Sequence, residues 1–256
     1  RRSDMSMLEL TPDFIKEFAA YLSTEAGLRN GSIWANCMWL KGVVMKAHYN
    51  GLIPRNPFIQ FHISPNVKER EYLTEDELKA VMTHEFADSK LAYIRDIFIF
   101  ASFTALSFVD IQELTNDNIV EVNGEKWILS KRHKTKVAFQ VKLLDIPLQI
   151  VERYRPMQKD NRIFPDLNYW SICKPLKRMI RECGITKSIS FHCSRHGFAT
   201  LALSKGMPIE SVSRVLGHTN IVTTQLYAKI TTQKLDNDLT MFGDKLSKTF
   251  NGITMS

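Results

Sequence analysis

A mainly helical chain carrying one small antiparallel β-sheet and divided into two domains is the fold class this sequence predicts. Three observations predict it. Apolar residues recur at three- and four-residue steps through most of the 256 residues. Three short runs rich in β-branched and aromatic residues sit together between residues 119 and 144, the first two separated by Asn123-Gly124, a hairpin-turn pair. A stretch from Phe61 to Arg70 interrupts the periodicity with Pro65 and several charges, as a linker does.

Taken in order, Thr11 to Asn50 reads as two helical runs. Phe14, Phe18, Tyr21 and Leu22 mark the first, and Ser32 through Leu40, Val44 and Ala47 mark the second. Gly51, Pro54 and Pro57 close this small helical domain, assigned to residues 1–66 with a linker to about 71. The second domain, 72–256, opens on Thr74 and Glu77, whose spacing is that of a capping box with acids at a helix N-terminus. A buried helix follows near residues 90–106. Strands are predicted at Ile119–Val122, Trp127–Leu129 and Val137–Leu144, and helices at Ile150–Tyr154, Ile172–Cys183, His196–Ser204, Ile209–Leu216 and Val222–Ile230. The stretch from Thr231 to Ser256 reads as partly helical and then polar.

Composition narrows the function classes. With 44% hydrophobic and 24% charged residues the balance is that of a soluble globular protein. The longest apolar run, Ile97 to Val109, contains Ser102, Thr104 and Ser107 and is well short of the ~20 residues a membrane span needs. No apolar stretch behind the N-terminus resembles a secretory signal. Cys37, Cys173, Cys183 and Cys193 show no C-x-x-C pairing and read as free thiols, so a cytoplasmic setting is expected. The net charge of +7 is unevenly spread: Lys126 to Lys187 holds fifteen Lys and Arg against five acids, a local +10. Such a segment attracts a polyanion and releases its counterions, although a solvated lysine-rich face carries the same signature.

The chemistry concentrates near the C-terminus, as His192-Cys193-Ser194-Arg195-His196, then Leu216-Gly217-His218, then Tyr227. His192 and Arg195, three apart, share a helix face and can grip one phosphate, the arginine with a planar fork of donors. Gly217 suits the left-handed residue that ends a helix and so presents His218. A phenol, with a pKa of about 10, becomes a useful nucleophile only where cationic donors surround the phosphorus it attacks. Singly, each histidine reads as a surface or satisfied core residue and Tyr227 as a half-buried aromatic. A zinc site at His192, Cys193 and His196 lacks a fourth ligand.

H-x-x-R-H, then L-G-H, then a tyrosine nine residues after that histidine resembles the signature of the tyrosine recombinase (phage integrase) family, and the likeness covers most of the chain. It implies a SAM-like core-binding domain ahead of a catalytic domain that opens at Tyr72-Leu73-Thr74-Glu75-Asp76-Glu77-Leu78. It implies Tyr227 as nucleophile, with Arg195, His192 and His218 at the phosphate. Lys134, between two predicted strands, is implied as the general acid, with Lys131, Arg132 and Lys136 contacting the DNA backbone. The family's T-G-L-R reads Thr104-Ala105-Leu106-Ser107 here, so serine stands where the first arginine belongs, while Asp110 fits the supporting acid. Arg95, the nearest upstream arginine, is the candidate substitute. The FTALSFVDI stretch resembles integrases of Bacteroides-type conjugative transposons.

The resemblance implies double-stranded DNA as partner and a homotetramer on two sites, with the C-terminal tail packing in trans. Accessory DNA-bending proteins and an arm-binding domain ahead of Arg1 are further implications. So are a bacterial, nucleoid-associated setting and a reaction needing neither metal nor cofactor. Two other readings compete: a type IB topoisomerase, and a DNA-binding protein whose catalytic set has decayed, for which Ser107 is the best support.

Overall fold

The computed structural model describes residues 5–64, 71–134, 136–158, 160–227 and 232–249, with backbone only at 232–234 and 237. The chain forms two compact units, Arg1–Glu69 and Arg70–Ser256. In the first, α1 (Pro12–Thr24) begins where the Thr11 side chain accepts from the Phe14 amide and Pro12 presets the first helical φ. It packs on α2 (Asn30–Tyr49) through two apolar clusters, Ile15 with Val44, Ala47, Ile53 and Phe58, and Leu22 with Ile33 and Cys37.

The second unit is built around α4 (Ser89–Thr104). Ile97, Phe98, Ile99, Phe100 and Ala101 are all buried, a run with no polar side because neighbours cover the helix all round. Those neighbours are α3 (Glu75–Thr83), α6 (Asp145–Tyr154), α7 (Tyr169–Glu182) and α8 (His192–Ser204). The capping box read from Thr74 and Glu77 is present, with both reciprocal bonds made. Beyond α4 the chain turns into α5 (Phe108–Gln112), then the sheet of β1 (Ile119–Val122), β2 (Glu125–Lys131) and β3 (Ala138–Lys142), antiparallel in the order β1-β2-β3. Asn123 and Gly124, both at positive φ, make the first turn. β2 pairs Ile128 with Val141 and Lys131 with Ala138. It is longer than its apolar residues suggest because the flanking polar residues still join the ladder.

Helices α9 (Ile209–Leu216), α10 (Val222–Gln225) and α11 (Thr232–Thr249) follow. The helix predicted over Val222–Ile230 stops earlier among the described residues, and 228–231 lie outside them. α7 and α8 begin earlier than their apolar periodicity implies. Asn168 caps the Trp170 amide, and α8 starts at His192, which places the H-x-x-R residues in its first turn. On α11, Leu235, Leu239, Phe242 and Leu246 are exposed at steps of four, three and four residues, an apolar stripe that no described residue covers. No described helix is long and apolar enough to cross a membrane.

Phe100 anchors this arrangement, fully buried and stacked edge-on against Phe164 with centroids 4.9 Å apart. Phe100→Ala is expected to lower unfolding stability by about 3–5 kcal/mol in urea titrations with an unchanged denaturant slope.

Candidate active site

The site begins where α4 ends. Ala105 takes the left-handed conformation, φ +56°, and this turns its carbonyl toward the interior of the site. There it accepts from Arg195 Nη1 at 2.7 Å and from Arg132 Nη2 at 3.5 Å. Two residues on, Ser107 caps α5. Its Oγ donates to Asp110 Oδ2 at 2.8 Å, and its amide bonds the same oxygen at 3.2 Å. The serine in the family's arginine position therefore holds Asp110 in a capping box.

Asp110 in turn grips the β2–β3 hairpin. Its Oδ2 accepts from Arg132 Nη1 at 2.6 Å and its Oδ1 from the His133 amide at 3.0 Å. Burial works to raise the Asp110 pKa, but the His133 amide, the Arg132 charge and the Ser107 hydroxyl together hold it below the ordinary carboxylate value. Arg132 was expected to contact DNA from the surface. Instead it is 6% exposed and directed inward, with Nη2 donating to the Val215 carbonyl at 2.6 Å and the guanidinium lying 4.0 Å from the Phe139 ring centre. Its Nε is buried without a hydrogen-bond partner among the described residues.

Gly217 leaves room for that side chain. It ends α9 at φ +62°, and a Cβ there would lie 2.9 Å from Arg132 Nε. The glycine expected only as a helix terminator is thus also a packing requirement. Arg95 does not reach this place. Its Nε pairs with Asp96 at 2.9 Å, its Nη1 donates to the His84 carbonyl, and it lies over Phe86. The ten residues from Arg95 to Ala105 span about 15 Å along α4 and its end.

Arg195, in the first turn of α8, is 9% exposed and donates to the Ala105 and Leu216 carbonyls. Burial and the neighbouring Arg132 push its pKa down to about 10, opposed by Tyr227 and Asp110, so it stays a cation at neutral pH. Tyr227 is half-buried against the cluster of Ala105, Ala199, Leu203, Val212 and Leu216. Its ring centre lies 5.0 Å from that of His196, which lies 4.9 Å from exposed His192. Cys193 between them is buried and turned toward Ser190, 3.2 Å from its amide.

His218 is not the cation the sequence suggests. Burial, followed by Arg195, Arg132 and His192, pushes its pKa down to about 4, so the imidazole is neutral. Its Nδ1 lies 2.9 Å from the hydroxyl of fully buried Thr224 on α10. With the hydroxyl donating, Nε2 keeps its hydrogen and can donate outward. Thr224 went unnoticed in the sequence. Six residues after His218 and three before Tyr227, it ties those two parts of the motif together. Lys131, Lys134 and Lys136 are exposed around the hairpin end, and the His133 ring pairs with Glu113 at 2.7 Å.

A phenol displaces an alkoxide from a phosphodiester only where donors take up charge at phosphorus, and α5, the hairpin, α8 and the α9–α10 segment meet that need inside one unit. This is the architecture of a tyrosine-type DNA strand transferase. Residues 71–234 match the phage integrase family and residues 1–63 the phage integrase SAM-like domain, so the chain belongs to the phage integrase family. It is 32% identical over 177 residues to tyrosine recombinase XerA of Pyrococcus horikoshii, covering 64% of this chain and 58% of that protein. It is 25% identical over 229 residues to tyrosine recombinase XerC of Lactobacillus leichmannii, covering 84% and 77%. The fold resembles the Tn1549 transposon integrase in complex with a circular intermediate DNA, at TM-score 0.77 and 18% identity over 91% of this chain and 86% of that one. It also resembles a lambda integrase dimer bound to a core site, at TM-score 0.69 and 17% identity over 88% and 82%.

Two outcomes test the geometry. Gly217→Ala is expected to displace Arg132 and to reduce DNA cleavage far more than it reduces the melting temperature, measured side by side. For His218, the folded value near 4 lies below the unfolded value of about 6.5, so the unfolded chain binds more protons between them. The His218 contribution is complete above that window and is lost as pH falls through it. The melting-temperature advantage of the parent protein over His218→Asn should therefore shrink between pH 7 and pH 4.5, and a constant difference would refute a depressed His218.

Proposed function

We propose that this protein cuts and rejoins DNA at specific sites through a 3′-phosphotyrosyl intermediate at Tyr227, integrating or excising a mobile element. The observation that carries the reading is the shared carbonyl of Ala105, which draws the Arg132 and Arg195 guanidiniums together beside His218. In this reading Arg132 takes the part of the arginine missing at Ser107, entering from the hairpin instead of from α5. A decayed catalytic set would have no reason to keep a second buried guanidinium, which is costly to desolvate, aligned by a dedicated carboxylate.

The reaction follows from these groups. The Tyr227 oxygen attacks phosphorus in line, and its proton passes to water. The bond to the 5′ oxygen breaks, and that oxygen takes a proton from the Lys134 ammonium. Arg195, Arg132, His192 and the N–H of neutral His218 hold the non-bridging oxygens while charge develops. The phosphodiester energy is kept in the tyrosyl link, so a 5′ hydroxyl from a partner duplex reverses the chemistry and joins strands. A type IB topoisomerase would share these steps but would not exchange strands between two sites.

We also propose a tetramer on two DNA sites within a bacterial cytoplasm. The exposed Leu235, Leu239, Phe242 and Leu246 stripe supports a trans role for the tail, since an amphipathic helix bare on its apolar side is completed by a neighbouring copy.

A suicide duplex nicked beside the cleavage position, so that the short 5′-hydroxyl fragment diffuses away, traps the covalent species. Tyr227→Phe should trap none, and Arg132→Ala should trap it about 10²- to 10³-fold more slowly. Arg95→Ala should remain near the parent rate. Normal trapping by Arg132→Ala would sink the assignment. Leu239→Glu with Phe242→Glu is expected to keep single-site DNA binding and lose paired-site complexes in gel shifts.

A further inference from the structure

We infer that the Glu113–His133 pair is a positioning device for the proton donor: it holds the hairpin turn so that Lys134 is aimed at the leaving 5′ oxygen. The inference rests on the general-acid role proposed for Lys134. Its starting point is the way α5 grips the turn twice. Asp110 faces inward and takes Arg132 and the His133 amide. Glu113, one turn later at the C-terminal end of α5, faces outward, and its carboxylate meets the His133 ring at 2.7 Å and 2.8 Å. Successive hairpin residues are thus fastened by two acids three residues apart on one short helix, Asp110 buried and Glu113 exposed.

Lys134 is the next residue. It is exposed at the end of the hairpin, and its long, flexible stem brings no rigidity of its own. The placement of its ammonium therefore depends on how firmly the preceding residue is held. The backbone bond to Asp110 fixes the position of His133 but leaves rotation about the chain. The ring bond to Glu113 supplies the second point, which removes that freedom. The His133 ring is 50% exposed and the Glu113 side chain 53% exposed, so the pair contributes little to stability, and its loss will not unfold the domain. Its value lies in geometry, to which proton transfer is sensitive: a misplacement of about 1 Å can cost on the order of 100-fold in rate.

The test uses a suicide duplex whose bridging 5′ oxygen at the cleavage position is replaced by sulfur. A thiol has a pKa of about 8.5, so the sulfur leaves without needing a proton, and a defect in proton delivery disappears on this substrate. Single-turnover cleavage is measured with both duplexes for the parent protein and for Glu113→Ala, His133→Ala, the double variant, Glu113→Gln and Lys134→Ala.

The expected result is cleavage of the oxygen duplex about tenfold slower for Glu113→Ala and His133→Ala, with the double variant no slower than either and parent rates restored on sulfur. Glu113→Gln, which keeps an acceptor, should recover most of the rate on oxygen. Equal slowing on both duplexes would make the pair merely structural, and no slowing on oxygen would leave it without a role; either outcome overturns the inference. If Lys134→Ala is rescued by sulfur while the pair variants are not, only the positioning claim fails. If Lys134→Ala is not rescued, the general-acid assignment fails and the positioning claim goes with it.

Discussion

The ion pair between Asp110 and Arg132 is made at 2.6 Å with both side chains almost wholly out of water. A buried pair of this kind is not an efficient way to stabilise a fold, since desolvating both ions offsets much of their attraction. Removing one partner, however, strands the other at a cost of about 3–5 kcal/mol. The buried arginines and His218 are referred to this pair. Asp110 fixes Arg132, burial and then Arg132 lower the pKa of Arg195, and burial with both arginines keeps His218 neutral. The Ser107 capping box lies beneath it all, because it orients the carboxylate that the rest depends on.

Much of this was legible in the sequence because it is local. The Thr74–Glu77 capping box, the Asn123-Gly124 turn and the H-x-x-R spacing are each set by residues within one turn of each other. The position of Arg132 was legible too, by a signal that charge obscured. Ile128 and Ser130 in β2 and Arg132 just past its end share one parity, and the buried Ile128 marks that parity as the inward side. Counting Arg132 among the surface lysines overlooked the alternation. The choice of Arg95 had the opposite fault, following nearness in sequence where about 15 Å of rigid helix intervenes.

Other features could not be read in advance, for physical reasons. The two arginines meet at the carbonyl of Ala105, and a carbonyl carries no side-chain signature. The neutrality of His218 results from burial beside charges drawn from two separate elements, α8 and the β2–β3 hairpin, so it exists only once the domain has folded. The closeness of Gly217 to Arg132 joins residues 85 positions apart, and from sequence alone that glycine is fully accounted for by its positive φ.

The hairpin carries the Arg132 guanidinium and the Lys134 ammonium two residues apart on one turn. In the proposed reaction, charge neutralisation at phosphorus and protonation of the departing strand are thereby mounted on a single turn. Were they on separate elements, a partly formed complex could break the phosphodiester bond without finishing the job and leave an unprotonated, readily recaptured end. On the proposed roles, one set of bonds to α5 places both groups, so a substitution that loosens that hold would weaken charge uptake and protonation together.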